Sequence, residues 1–176
     1  VSYFAAAVAR GPEGWTANEV DLSGAADVDE VADHLREIEP EATVSLLFVE
    51  ADDVYLVVLR LDDGEDLRVF GSDSAFAEES RLGALLLSEV EEPATDIDEA
   101  VGAPARAEDT DTDTEVHAFE TDIDPVGDAD LLADLGVPAR RLLELCAHEG
   151  LLPSDVTAEV CQAIGCGDEM EELREA

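Results

Sequence analysis

Residues 91–127 contain one arginine against 13 acids, with three prolines and few large apolar side chains. Such a stretch cannot bury enough surface to offset the entropy of ordering it, so folded structure must form on either side of it. The expected organisation is an α+β domain over residues 1–90, an acidic flexible linker over 91–127 and a small helical domain over 128–176. A chain of 176 residues has room for one domain of ordinary size or two small ones.

The same imbalance runs through the whole chain, which has 46 acids, 9 arginines, no lysine and a formal charge of −37. That field repels a polyanion and offers little counterion release, so direct binding to nucleic acid is not expected. Missing lysine fits a GC-rich coding bias or a high-salt cytoplasm. The longest apolar runs, 46–49 and 84–87, are far too short to span a bilayer. No basic segment precedes an apolar one at the N-terminus, so no secretory leader is expected, and Val1 fits an alternative start codon of an intact short protein. Cys146, Cys161 and Cys166, odd in number and without regular spacing, suggest reduced thiols in a cytoplasmic protein.

Within 1–90, the run from Tyr3 to Val8, the turn Gly11-Pro12-Glu13-Gly14 and the run from Trp15 to Val20 predict a hairpin. Val28, Val31, Ala32, Leu35 and Ile38 recur at helical spacing behind a capping box of Asp27 and Glu30, and Pro40 ends the helix. Two leucine-rich and β-branched runs, 43–50 and 54–61, flank Asp52-Asp53 as a second hairpin, and Leu67–Phe70 adds a short strand after Asp63-Gly64. Residues 74–87 begin as a helix that Gly83 interrupts. The order β-β-α-β-β-β-α describes an antiparallel or mixed sheet with helices on one face. Beyond residue 127 the period changes. Short helices are expected over 130–135, from Pro138, from Ser154 to Gly165, and behind a second capping-box pair, Asp168 and Glu171. A bundle of this size is marginal alone, so docking onto a partner or onto the first domain would help it. Leu142, Leu143 and Leu145 cannot all point into one narrow stripe, which makes them the candidate protein interface.

Catalytic constellations are absent from the sequence. A hydrolytic deaminase needs His-x-Glu followed by Pro-Cys-x-x-Cys, and none of His34, His117 and His148 has such a downstream pair. His148, Cys161 and Cys166 match no common zinc spacing, and small buried thiols are the simpler reading. Ser72, Ser74 and Ser80 lack a nucleophile elbow. Trp15 fits a cross-strand core aromatic at least as well as an exposed contact. Asp109, Asp111, Asp113, Glu115, His117 and Glu120 occupy positions 1, 3, 5, 7, 9 and 12 of a calcium loop. Thr114 stands where the turn needs glycine, so a plain acidic connector is preferred. No cofactor and no catalytic residue are assigned.

Ser2-Tyr3-Phe4-Ala5-Ala6, then Gly14-Trp15 and Val20-Asp21-Leu22, resemble the tRNA adenosine deaminase-associated proteins of actinobacteria. Asp130–Gly136, Leu142, Leu143, Leu145, Cys146 and Gly150–Pro153 extend the resemblance to the C-terminal end, while the acidic middle looks variable. The resemblance implies a cytoplasmic, noncatalytic accessory protein whose partner is a tRNA adenosine deaminase or another protein, and it carries no catalytic residues. The alternatives are a calcium-responsive acidic module and an independent hydrolase with an unrecognised site.

Overall fold

The computed structural model describes residues 3–88, 90, 125–148 and 150–175. Two long antiparallel strands, β1 (Tyr3–Gly11) and β2 (Gly14–Glu19), form the expected first hairpin. Helix α1 (Val28–Ile38) starts where Asp27 accepts from Glu30 N at 3.0 Å, while the Glu30 carboxylate reaches back to Ala26 N. The helix crosses one face and delivers β3 (Val44–Ala51) to the far side of β1, so β1 is flanked by both. A meander then adds β4 (Tyr55–Asp62) and β5 (Asp66–Gly71).

Both meander turns take the left-handed conformation that Asp and Gly tolerate best. Asp52 and Asp53 have φ of 52° and 57°, and Val54 N donates to Ala51 O at 3.0 Å. Asp63 and Gly64 repeat the arrangement at φ 51° and 75°, closed by Glu65 N on Asp62 O at 2.9 Å. Two-residue turns of this hand match strand twist, and this sets the pairing of β3, β4 and β5.

Residues 74–87 form two short helices, α2 (Ala75–Glu79) and α3 (Arg81–Leu86), and the break falls at Ser80 rather than at Gly83. Ser80 turns extended, and its hydroxyl accepts from Leu82 N and Gly83 N, which opens α3. Gly83 has a different role. A Cβ there would sit 2.1 Å from Phe76 O, so the glycine lets the two helices touch. A sixth strand, β6 (Val126–Gly127), pairs with Phe70 and Gly71, so the last residues assigned to the connector belong to the sheet. Residues 91–124, including the calcium-loop positions 109–120, lie outside the described residues.

The C-terminal part opens with a 3-10 turn at Ala133–Leu135, tighter than the expected helix, and Gly136 ends it at φ 119°. Helix α4 (Ala139–Ala147) has Pro138 as its N-cap. Helix α5 (Pro153–Ile164) begins one residue before the expected cap, with the Asp155 carboxylate accepting from Leu152 N at 3.0 Å. Its end is the expected one, at Gly165 with φ 103°. Helix α6 (Gly167–Glu175) follows at once, one residue ahead of the expected Asp168 cap.

The sheet order is β2-β1-β3-β4-β5-β6, and its two faces have different covers. Helices α1, α2 and α3 share a core with Ala5, Ala7, Leu47, Val49, Val57 and Leu59. On the opposite face, Leu131, Leu132, Leu142, Val156, Val160 and Met170 pack on Val8, Leu46, Phe48, Val58 and Phe70. The result is an α+β fold in which the helical C-terminal segment docks onto the sheet. Covering both faces explains why β3 is buried at every residue and why five successive positions of β1, from Ala5 to Ala9, are closed to solvent. Small side chains on β1 bring the flanking layers close, and most of the apolar area comes from leucine, valine and phenylalanine.

Candidate functional site

Leu142 and Leu145 of α4 are buried in the core shared with the sheet, and Leu143 is half-buried at its margin. Of the three, Leu143 retains the most access to a second protein, while Leu142 and Leu145 hold its helix in place. Arg141 and Glu159 face each other at 3.3 Å across α4 and α5, both half-exposed, a pair that contributes little to stability.

The docking of the C-terminal segment has a polar pin that sequence reasoning missed. Arg60 lies inside the apolar run of β4, yet its side chain is only 5% exposed and faces the 3-10 turn. Its Nη1 donates to Leu131 O at 2.6 Å, Nη2 donates to Asp134 Oδ2 at 2.9 Å, and Nε donates to Asp62 Oδ1 at 3.0 Å. A guanidinium suits this place because its planar fork serves three acceptors at once. These hydrogen bonds raise Arg60 above its ordinary value, and Asp134 is held below the usual carboxylate range, with the hydrogen bonds from Arg60 as the main cause. A second pin joins Arg174 of α6 to the buried Glu50 of β3, with the guanidinium also 4.7 Å above the Phe4 ring. The only signal available in the sequence was the alternation of β3 and β4, which puts Glu50 and Arg60 on the same face as Phe48 and Val58.

The Asp134 pin predicts a specific pH response. A carboxylate with a lowered folded pKa adds stability that is present above its unfolded pKa, about 3.9, and lost as pH falls through the folded value. Asp134→Asn is therefore expected to cost about 1 kcal/mol at neutral pH, discounted because the Asp134 side chain is 63% exposed. The deficit should vanish in acid below both values. Urea unfolding of both proteins at several pH values measures this, and a constant deficit would contradict the assignment.

The remaining candidates do not assemble into chemistry. Ser72 Oγ accepts from Leu56 N at 3.0 Å and Ser80 Oγ opens α3, so both act as backbone caps. Cys161 and Cys166 are fully buried, and the hydrogen bond between them, together with burial, pushes the Cys161 thiol up. Burial pushes the Cys146 thiol up to about 12. Thiols in that state are poor nucleophiles at neutral pH. His148 is exposed at the end of α4, and among the described residues no group of three His, Cys, Asp or Glu side chains could hold a metal ion. Trp15 is half-buried, packs on the C-terminal core and carries the Arg10 guanidinium over its ring at 5.6 Å. A cleft of about 230 Å³ between Tyr3, Leu22 and α3 includes Ser80 and Arg81 and contains no acid–base pair.

A family model described as Rv3753c-like tRNA adenosine deaminase-associated protein matches residues 3–167. The chain belongs to that family. The match runs from β1 to the first residue of α6, across both the sheet and the helical segment that covers it. No curated protein and no solved structure matches the chain. The family description is of an associated protein and not of the deaminase. Among the described residues, no helix is long and apolar enough to cross a membrane.

Proposed function

We propose that the chain is a noncatalytic accessory protein that binds a tRNA adenosine deaminase in the cytoplasm. The observation that carries this reading is the family match over residues 3–167. Electrostatics support it. An enzyme that holds tRNA needs a basic surface, and a chain of charge −37 is steered toward such a surface rather than toward the RNA itself. Arg36, Arg60, Arg68, Arg141 and Arg174 are each paired with the chain's own acids, so they do little to interrupt the acidic exterior. Val54 and Leu152 are the large apolar side chains exposed among the described residues. Contact through Leu143 would give the C-terminal helices a small apolar point within a charged rim.

Affinity isolation of the full-length protein from native cytosol at low, physiological and high salt tests this reading. The deaminase is expected to be enriched, with recovery falling as salt screens the acidic surface. The purified chain should not convert adenosine to inosine in tRNA, with or without added zinc. Absence of the deaminase at every salt concentration, or turnover by the chain alone, would overturn the proposal.

A further inference from the structure

Ser45 of β3 differs from the other buried polar side chains. It is 5% exposed and lies on the face covered by α1, in register with Leu61 of β4. Ser72, Thr157 and Arg60 each hold a backbone group, whereas no partner among the described residues hydrogen-bonds the Ser45 hydroxyl. Among the described residues no side-chain polar atom sealed from solvent lacks a partner, so this hydroxyl opens onto the cleft that Ser45 lines. The cleft, about 240 Å³, lies where α1 ends and the turn between β4 and β5 begins.

Its surroundings are negative. Helix α1 ends beside it, and a helix C-terminus carries partial negative charge. Glu39 caps that helix and lines the cleft, with Oε1 accepting from Glu41 N at 3.4 Å and Oε2 on the side of Gly11. Asp63 also lines it, in a turn anchored by Asp63 N on Thr43 O at 3.0 Å. One cation, Arg36, also lines the cleft, with Nε donating to the lining Gly64 O at 2.5 Å and its charge partly offset by Asp33 on Nη1, so two carboxylates face one guanidinium. Pro40 and Leu61 add apolar surface.

We propose that this cleft binds an alkylammonium group, from either a free amine or a lysine side chain. Its three N–H donors match the Glu39 and Asp63 carboxylates and the Ser45 hydroxyl, and its methylenes match Pro40 and Leu61. A bare divalent ion fits less well, because two carboxylates are too few ligands and the space far exceeds one ion. The site does not rest on the accessory role.

Titration of the full-length protein with n-butylammonium, followed by backbone amide shifts, tests the proposal. Saturable shifts centred on Ala42, Ser45 and Gly64 are expected. Glu39→Gln and Asp63→Asn should each weaken binding about fivefold and Ser45→Ala about threefold, as expected for partly solvated charge-assisted hydrogen bonds. Tetramethylammonium, which has the charge and no N–H, should give no saturable response. Shifts that spread over the acidic surface without saturating, or an equal response to tetramethylammonium, would overturn the assignment. Spectra unchanged away from the cleft verify that each variant is folded, and three variants keep the test intact if one is not. Tighter binding of putrescine than of an acetylated lysine amide identifies a free amine, and the reverse order identifies a lysine side chain. Either order upholds the site. Copurification of the deaminase with Glu39→Gln tests the accessory reading separately.

Discussion

A chain ending at residue 127 is expected to lose its cooperative unfolding transition and to bind hydrophobic dyes. Residues 128–175 supply Leu131, Leu132, Val137, Leu142, Val156, Val160 and Met170 to the core on one face of the sheet. Each buried side chain of this kind contributes roughly 1.5–3 kcal/mol, so the seven together are worth about 10–20 kcal/mol, comparable to the whole 5–15 kcal/mol that holds a typical domain together. Removal also exposes Phe48, Val58 and Phe70 and leaves Arg60 without Asp134 and the Leu131 carbonyl. Circular dichroism through a urea titration decides the matter. A sharp transition near that of the full chain would show that the sheet is stable without its second cover. A partner interface on the C-terminal helices is therefore better tested by substituting Leu143 than by deletion.

Gly83→Ala is expected to lower stability by about 2–3 kcal/mol, the upper part of the range for forcing an extra carbon into a packed core. The added Cβ would stand 2.1 Å from Phe76 O and 2.7 Å from the Phe76 ring, closer than real carbons approach. Relief requires separating α2 from α3, and Phe76 cannot move freely because it is buried and stacks on Tyr55 at 4.9 Å. For a chain of this length the midpoint should fall by roughly 5–10 °C in a thermal melt. Gly24→Ala is the control. Nothing lies within 4 Å of a Cβ at Gly24, so the change should stay within about 0.5 kcal/mol. Equal melting of the two variants would refute the close-packing role of Gly83.

Glycine at position 83 shows why local pattern and tertiary packing give different answers. In the sequence it looks like a helix breaker, since glycine lowers helix propensity. In the fold it lies within α3, and what it permits is contact with another helix, which only the arrangement of α2 can reveal. Elements whose causes are local were legible. The Asp27 cap, the Asp52-Asp53 and Asp63-Gly64 turns and the Gly165 stop all act through bonds to residues a few positions away. The candidate interface was legible only in part, because Leu142, Leu143 and Leu145 divide between core and margin according to which face of α4 meets the sheet.

Sequence alone determined the acidity of the surface, the five strand-forming runs and their turns, α1 with its cap, and the change to helical period after residue 127. These follow from side-chain ionisation, backbone preference and spacing, which act over a few residues. The tertiary structure decided the strand order, the pairing of Val126 and Gly127 with β5, and the cover that the C-terminal helices place on the second face. It also decided that an arginine could stand inside an apolar strand. Arg60 is tolerable there because acceptors at residues 62, 131 and 134 converge on it, and bringing together groups 71 and 74 positions apart requires the whole chain to fold.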